Sequence, residues 1–224
     1  MKELKKPFVL VIAILLADQI LKIWVKLNFT LGEEVSLLGD WCKLHFIENE
    51  GMAFGMSFGG EVGKYLLTGF RIVASCLIGW YLVKLIKSKA RTLTIYSFTL
   101  IFAGAVGNIL DSLFYGLIFS ESTFFSLAQA FPPEGGYAPL GLGKVVDMFY
   151  FPLIDTVWPS WVPFFGGRPL RFFEPVFNFA DSCVTVGAFY LILFQYRFFS
   201  KDDTAPASKD GGVAASKKSA RNGK

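Results

Sequence analysis

The sequence predicts an all-α integral membrane protein: four transmembrane helices with a small extracytoplasmic β-sheet and extended outer loops. Composition is the first reason. Of 224 residues, 53% are hydrophobic, 17% aromatic and only 18% charged, and a mean hydropathy of +0.48 is too high for a domain whose whole surface faces water. Length is the second. Stretches 8–27, 65–86, 93–118 and 176–199 are each long enough to cross about 30 Å of hydrocarbon at about 1.5 Å per residue. Charge placement is the third. Fourteen of the 22 basic residues lie in the first six residues, the 84–91 connection and the tail from Arg197, whereas segments 28–64 and 119–175 hold five basic and eleven acidic residues. By the positive-inside rule both termini are expected in the cytoplasm and the two acidic connections outside.

In chain order, Lys2, Lys5 and Lys6 precede the first apolar run as they would in a signal peptide. Asp18 and Lys22 interrupt that run and no small-residue cleavage site follows, so a retained helix is expected. The first outer connection has a strand-like stretch, Trp41 to Ile47, between Gly39-Asp40 and the glycine-rich segment 51–60, which gives the expected sheet. The second carries Trp158, Trp161, Phe164 and Phe165, which suit an apolar–water interface. Residues 1–199 form one four-helix domain. From Lys201 the chain is small, polar and lysine-rich, and 201–224 is expected to be a disordered cytoplasmic tail. Three cysteines, Cys42, Cys76 and Cys183, make no disulfide scaffold. The single histidine, His45, excludes a zinc hydrolase of the HExxH type, and a net charge of +4 is too small for a nucleic-acid surface.

Ionisable groups inside a membrane helix cost about 2.5–3.5 kcal/mol or more each, so each needs a partner or a task. Asp18 and Lys22 stand at i, i+4 on the first helix and can neutralise one another. Asn108 and Asp111 on the third helix repeat at the i, i+3 spacing of Asn178 and Asp181 on the fourth. Asp111 lies about 27 Å along a helix that starts in the cytoplasm, and Asp181 lies close to the outer start of its own. Depth alone therefore ranks Asp111 alongside Asp181, with Asp18 near mid-depth and Asp147 in the second outer connection. Two carboxylates sharing one proton can activate water without metal, thiol or histidine: one takes a proton from water while the other donates to the carbonyl oxygen. Asn108 and Asn178 can orient them, and Gly104 and Gly107 allow close helix packing. The same residues equally suit a proton-coupled carrier, and physics alone does not choose.

Five blocks, in order, resemble lipoprotein signal peptidase, also called signal peptidase II. They are Asp18-Gln19 with Lys22; Asn49-Glu50-Gly51-Met52-Ala53-Phe54-Gly55; Gly104-Ala105-Val106-Gly107-Asn108-Ile109-Leu110-Asp111; Val145-Val146-Asp147; and Phe177-Asn178-Phe179-Ala180-Asp181-Ser182 followed by Thr185-Val186-Gly187. The resemblance implies an aspartic peptidase of the bacterial plasma membrane that cuts prolipoproteins before a diacylglyceryl-modified cysteine, with its active site at the outer face. It implies Asp147 and Asp181 as the catalytic pair. Asn108, Asp111 and Asn178 support the site, Asp18 and Lys22 are structural or substrate-facing, and Asn49 with Gly51 belongs to a sheet that cradles substrate. Ala180 falls in the same group through its block. No cofactor and no metal are implied. The expected partners are diacylglyceryl-prolipoproteins and membrane lipids, with no nucleic acid, and the expected state is a monomer.

The chain departs from the family in three places. Ser112 stands where the family has arginine, so the charge beside Asp111 must come from elsewhere, with Lys144, Arg168 and Arg171 as the expected sources. Segments 117–144 and 148–175 are both extended, the first through Phe131-Pro132-Pro133-Glu134-Gly135-Gly136, and they stand where a lid or substrate-guiding loop would sit, with a merely decorative loop as the alternative. Other signals are set aside. Gly55-Met56-Ser57-Phe58-Gly59 spells a serine-hydrolase motif, with His45 in the same loop, but lacks the strand–turn–helix setting. Val73-Ala74-Ser75-Cys76 looks like a lipobox but lies deep in the second helix, and Asn28-Phe29-Thr30 is a glycosylation sequon by spelling only. The alternative function, a small proton-coupled transporter or lipid-binding protein, would build on more helices and on repeat symmetry that the chain lacks.

Overall fold

A computed structural model of the chain describes residues 2–51, 60–152, 154–172 and 175–194. In chain order the elements are α1 (Lys2–Asn28), β1 (Glu34–Leu38), β2 (Cys42–Asn49), α2 (Gly60–Lys87), α3 (Thr92–Leu110), a π-helical turn (Asp111–Tyr115), α4 (Gly116–Ile118), β3 (Val145–Tyr150), β4 (Ile154–Val157), β5 (Pro169–Phe172), β6 (Val176–Phe177) and α5 (Phe179–Phe194). The glycine-rich segment with Ser57 and the tail 201–224 lie outside the described residues.

The helices are inside-out compared with those of a water-soluble protein. On α1, Val11, Ile14, Asp18, Lys22, Val25 and Lys26 recur at three- and four-residue steps and are buried, whereas Phe8, Val9, Leu16, Ile20 and Trp24 on the other side are exposed. Segments Lys5–Asn28, Gly60–Lys87 and Thr92–Ile118 are long and apolar enough to cross a membrane. The expected fourth span is apolar but only 16 residues long as described, Phe179–Phe194, and 195–199 lie outside the described residues. It also starts three residues later than expected. Asn178 stops the helix from extending backwards: its side-chain oxygen accepts the Asp181 N–H at 2.8 Å, which makes it an N-cap, and Val176–Phe177 pairs with β3 instead.

Small residues bring α3 against α5. A Cβ at Gly104 would lie 2.3 Å from the Ala180 carbonyl oxygen, and one at Gly187 would lie 2.7 Å from that of Ser97, so neither position has room for a side chain. Above this contact sits an antiparallel sheet of order β1-β2-β3-β6. Alternation along β2 buries Cys42, Leu44 and Phe46. Leu44 and Phe46 join Val25, Phe29, Tyr115, Phe119, Val146 and Met148 in a core between the sheet and the ends of α1 and α3. The sheet is larger than expected: β3 pairs Ile47 with Asp147 and Asn49 with Val145, and β4–β5 form a separate hairpin.

The extended segment after α4 is held to its neighbours by backbone hydrogen bonds. Leu31 N–H bonds the Thr123 carbonyl at 2.9 Å, Tyr137 N–H bonds Phe119 at 3.0 Å and Ala138 N–H bonds Gly116 at 3.0 Å. Beneath it, buried Lys26 pairs with Glu48 and bonds the Ser122 hydroxyl at 2.8 Å.

Candidate active site

Lys22 is the electrostatic centre of the site. Its ammonium lies 2.9 Å from Asp18 and 2.8 Å from Asp111, all three side chains being fully buried, and it donates to the Asn108 side-chain oxygen at 2.8 Å. One cation thus faces two carboxylates, and the remaining charge is met by fixed dipoles. The Ala180 N–H donates to Asp18 at 2.9 Å, in the first turn of α5, and Gln19 donates to Asp111 at 2.8 Å. A Cβ at Gly107 would sit 2.8 Å from the Asp18 carboxylate, so glycine there is what lets α1 bring its acid against α3.

This arrangement corrects the expected source of charge beside Asp111. Lys22 supplies it. Lys144 is engaged 3.5 Å from Glu121 and over the Tyr137 ring, Arg168 is exposed in the turn between β4 and β5, and the Arg171 side chain is outside the described set. Ser112, at the family's arginine position, donates its hydroxyl back to the Asn108 carbonyl at 3.1 Å.

A second layer joins Asp147 to Asp181 through asparagines. Asn178 donates to Asp147 at 2.7 Å and to the Asn108 oxygen at 3.1 Å, and Asn108 donates to Asp181 at 2.7 Å. Because Lys22 claims the Asn108 oxygen, the Asn108 amide group must turn towards Asp181. Asn49, the last residue of β2, donates to Asp147 at 3.3 Å while its own oxygen accepts the Gly51 N–H at 2.8 Å. Depth had ranked Asp111 beside Asp181, whereas Asp111 is neutralised by Lys22 and the carboxylate bridged to Asp181 belongs to β3.

Asp147 is 2% exposed. Burial, followed by the negative charge of Asp181, pushes its carboxyl up to about 7, against the opposing pull of the Asn178 and Asn49 hydrogen bonds. A proton held near neutrality beside a second carboxylate is what general acid–base chemistry on a carbonyl requires. Among the described residues no group of three or more His, Cys, Asp or Glu is placed to hold a metal.

All ten site residues expected from sequence fall in these two layers or at their rim. Arg71 was missed. This α2 residue bonds the Gly51 carbonyl, lies within electrostatic reach of Asp181, Asp147 and Asp111, and leaves no room for a Cβ at Gly51, whose φ is +91°. The signal was available, since an arginine inside an apolar span carries the same cost that drew attention to Asp18. His45 stands apart from the site on β2, 3.6 Å from Glu34.

The family described as Signal peptidase (SPase) II matches residues 10–197. The chain belongs to the signal peptidase II family. A lipoprotein signal peptidase of Porphyromonas gingivalis is 49% identical over 192 residues, covering 85% of this chain and 83% of that one. One from Amoebophilus asiaticus is 35% identical over 195 residues, covering 86% and 78%. A solved structure titled as a bacterial membrane enzyme determined by the in meso method at 2.3 Å resolution shares the fold, with a TM-score of 0.56 and 19% identity over 90% of this chain and 94% of that one. As a member of the signal peptidase II family the chain is a protease with membrane-spanning helices, and membership favours that reading over the transporter or lipid-binding one.

Proposed function

We propose that this signal peptidase is of the aspartic type and removes signal peptides from diacylglyceryl-modified bacterial prolipoproteins, cutting before the lipidated cysteine. The observation that carries the reading is the bridge through Asn178 and Asn108, which holds Asp147 and Asp181 in one hydrogen-bonded unit. The Asp181 carboxylate takes a proton from water as the water oxygen bonds the scissile carbonyl carbon, and protonated Asp147 gives its own proton to the carbonyl oxygen. As the C–N bond breaks, the leaving amine takes the proton held by Asp181, and Asp147 recovers its proton from a hydroxyl of the tetrahedral intermediate, which becomes the carboxylic acid. The rate is expected to fall above about pH 7 as Asp147 ionises and loses the proton it donates.

Four spans with both termini in the cytoplasm would set the dyad at the outer face of the plasma membrane. The signal helix would enter laterally and the acyl chains would stay in lipid. Asp18, Lys22, Asp111, Asn108, Asn178 and Ala180 position the dyad, Asn49 and Gly51 line the substrate path, and the enzyme acts as a monomer.

The test is cleavage of a diacylglyceryl-modified prolipoprotein by purified protein. Asp147→Asn and Asp181→Asn are each expected to lower the rate by about 10²–10⁴-fold, with Ser57→Ala unaffected and folding checked in detergent. Activity retained in both asparagine variants sinks the dyad.

A further inference from the structure

The β4–β5 hairpin carries an apolar tip that nothing among the described residues covers. Its strands pair from Ile154↔Phe172 to Val157↔Pro169, and the intervening turn is tightly bonded. Trp158 N–H bonds the Arg168 carbonyl at 2.9 Å, Gly167 N–H bonds Trp158 at 2.9 Å, Gly166 N–H bonds Val162 at 2.9 Å and Arg168 N–H bonds Phe165 at 2.9 Å. The Trp158 and Phe165 rings meet at 5.9 Å. What this rigid turn displays is large and apolar: Trp161 is 80% exposed, Phe164 90% and Phe165 51%. Phe164 is held there at a φ of +68°, a conformation that non-glycine residues seldom adopt. Segment 158–168 contains no acidic residue and one basic residue, Arg168.

Position selects the occupant. The hairpin leads through Pro175 and β6 into α5, which begins at Phe179 and exposes Val186, Phe189, Ile192 and Phe194, the surface of a helix that faces lipid. Strands of four residues extend about 13 Å at about 3.3 Å per residue, so the turn begins within about 13 Å of the strand ends that lead on to β6 and α5. Tryptophan and phenylalanine with a lone arginine and no acid suit the headgroup boundary of a bilayer. We propose that Trp161, Phe164 and Phe165 dock into the phospholipid surface of the leaflet at the sheet end of the helices. The hairpin joins the strand bearing Asp147 to the helix bearing Asp181, so a docked tip sets the height of both carboxylates above the acyl chains.

The test uses the full chain in phosphatidylethanolamine–phosphatidylglycerol vesicles, with and without phospholipid brominated near the headgroup end of its acyl chains. The sequence has five tryptophans, so the Trp161 signal is taken as wild type minus Trp161→Phe. That signal is expected to lose about half its intensity to the brominated lipid, whose quencher lies at the depth of interfacial side chains, and to be shielded from aqueous acrylamide. Adding Phe164→Trp to the Trp161→Phe variant should restore a lipid-quenched signal, which guards against a folding artefact. Quenching by acrylamide alone overturns the proposal. So does shielding from both quenchers, which would mean that protein, such as a second copy of the chain, covers the tip. None of these readouts depends on proteolysis, so the outcome is separate from that of the peptidase reading.

Discussion

Asn178 uses both ends of its amide. Its oxygen starts α5 by capping Asp181, and its nitrogen holds Asp147. The residue that begins a helix is therefore also the one that fixes the spacing of the two carboxylates. The proton on Asp147 follows from burial and from its neighbour, and it has a thermodynamic consequence. An unfolded aspartate releases its proton near about pH 3.9, whereas folded Asp147 keeps it to about 7. Between those values the folded chain binds the extra proton, so the contribution of Asp147 makes stability fall as pH rises through that window. Asp147→Asn removes this dependence. The Tm of the variant relative to wild type should increase steadily from about pH 4.5 to about pH 7.5, and a constant difference in thermal unfolding across that range would contradict the assignment.

Elements explain how single residues reach the site. Strand β2 carries Glu48 and Asn49 side by side, one paired with Lys26 and bonded to Ser122 at 2.9 Å, the other bonded to Asp147. The extended segment thus clamps the strand that orients the dyad. Ser122→Val leaves Lys26 and Glu48 short of a buried partner and should cost about 1–3 kcal/mol of stability. It should also lower kcat with little change in KM. A hinged flap would behave in the opposite way, with Tm unchanged and KM altered, so unfolding and steady-state kinetics on the one variant decide between them. Elements are also where sequence reading was least complete. Strand β3 is buried along Val145–Met148 and shows no alternation, so its short apolar run had no strand period to read. Val176–Phe177 read as helix because apolar residues continue into α5, and only pairing with Phe149 and Tyr150 makes them a strand.

At the scale of the whole molecule, the membrane-spanning helices turn polar groups inwards and apolar ones outwards. Lys22, Asp18 and Asp111 are fully buried while Phe70 on α2 is 70% exposed. Substitutions should follow this inversion. Lys22→Met strands two carboxylates and is expected to destabilise by about 3–5 kcal/mol. Phe70→Ala, where lipid or detergent replaces the lost contacts, should change stability by less than about 1 kcal/mol. Thermal unfolding in one detergent compares them, and a larger loss for Phe70→Ala would refute the inverted arrangement. The same inversion made the long spans legible, because run length and the cost of buried charge can both be read from one sequence. It left the partnership of Lys22 with Asp111 illegible. The i, i+4 spacing pointed only to Asp18, and contact with Asp111 exists only once α1 lies against α3. Asp147 was singled out by resemblance rather than by depth, since nothing in its own segment announced a strand that would carry it to Asp181.

The π-helical turn at Asp111–Tyr115 contains one residue more than an α-helical turn would hold over the same rise. Losing one residue between Ser112 and Tyr115 would restore a regular α-helix and leave Gly116 close to its present place and orientation, since the turn takes up the extra residue locally instead of passing its rotation down the helix. Gly116 would then keep its packing against the Ala138 carbonyl, and with it the clamp on β2. Chain length in this turn is thus freer than residue identity is at Asp111, and relatives that keep the clamp are expected to include some that are one residue shorter here, with the turn in regular α-helical form.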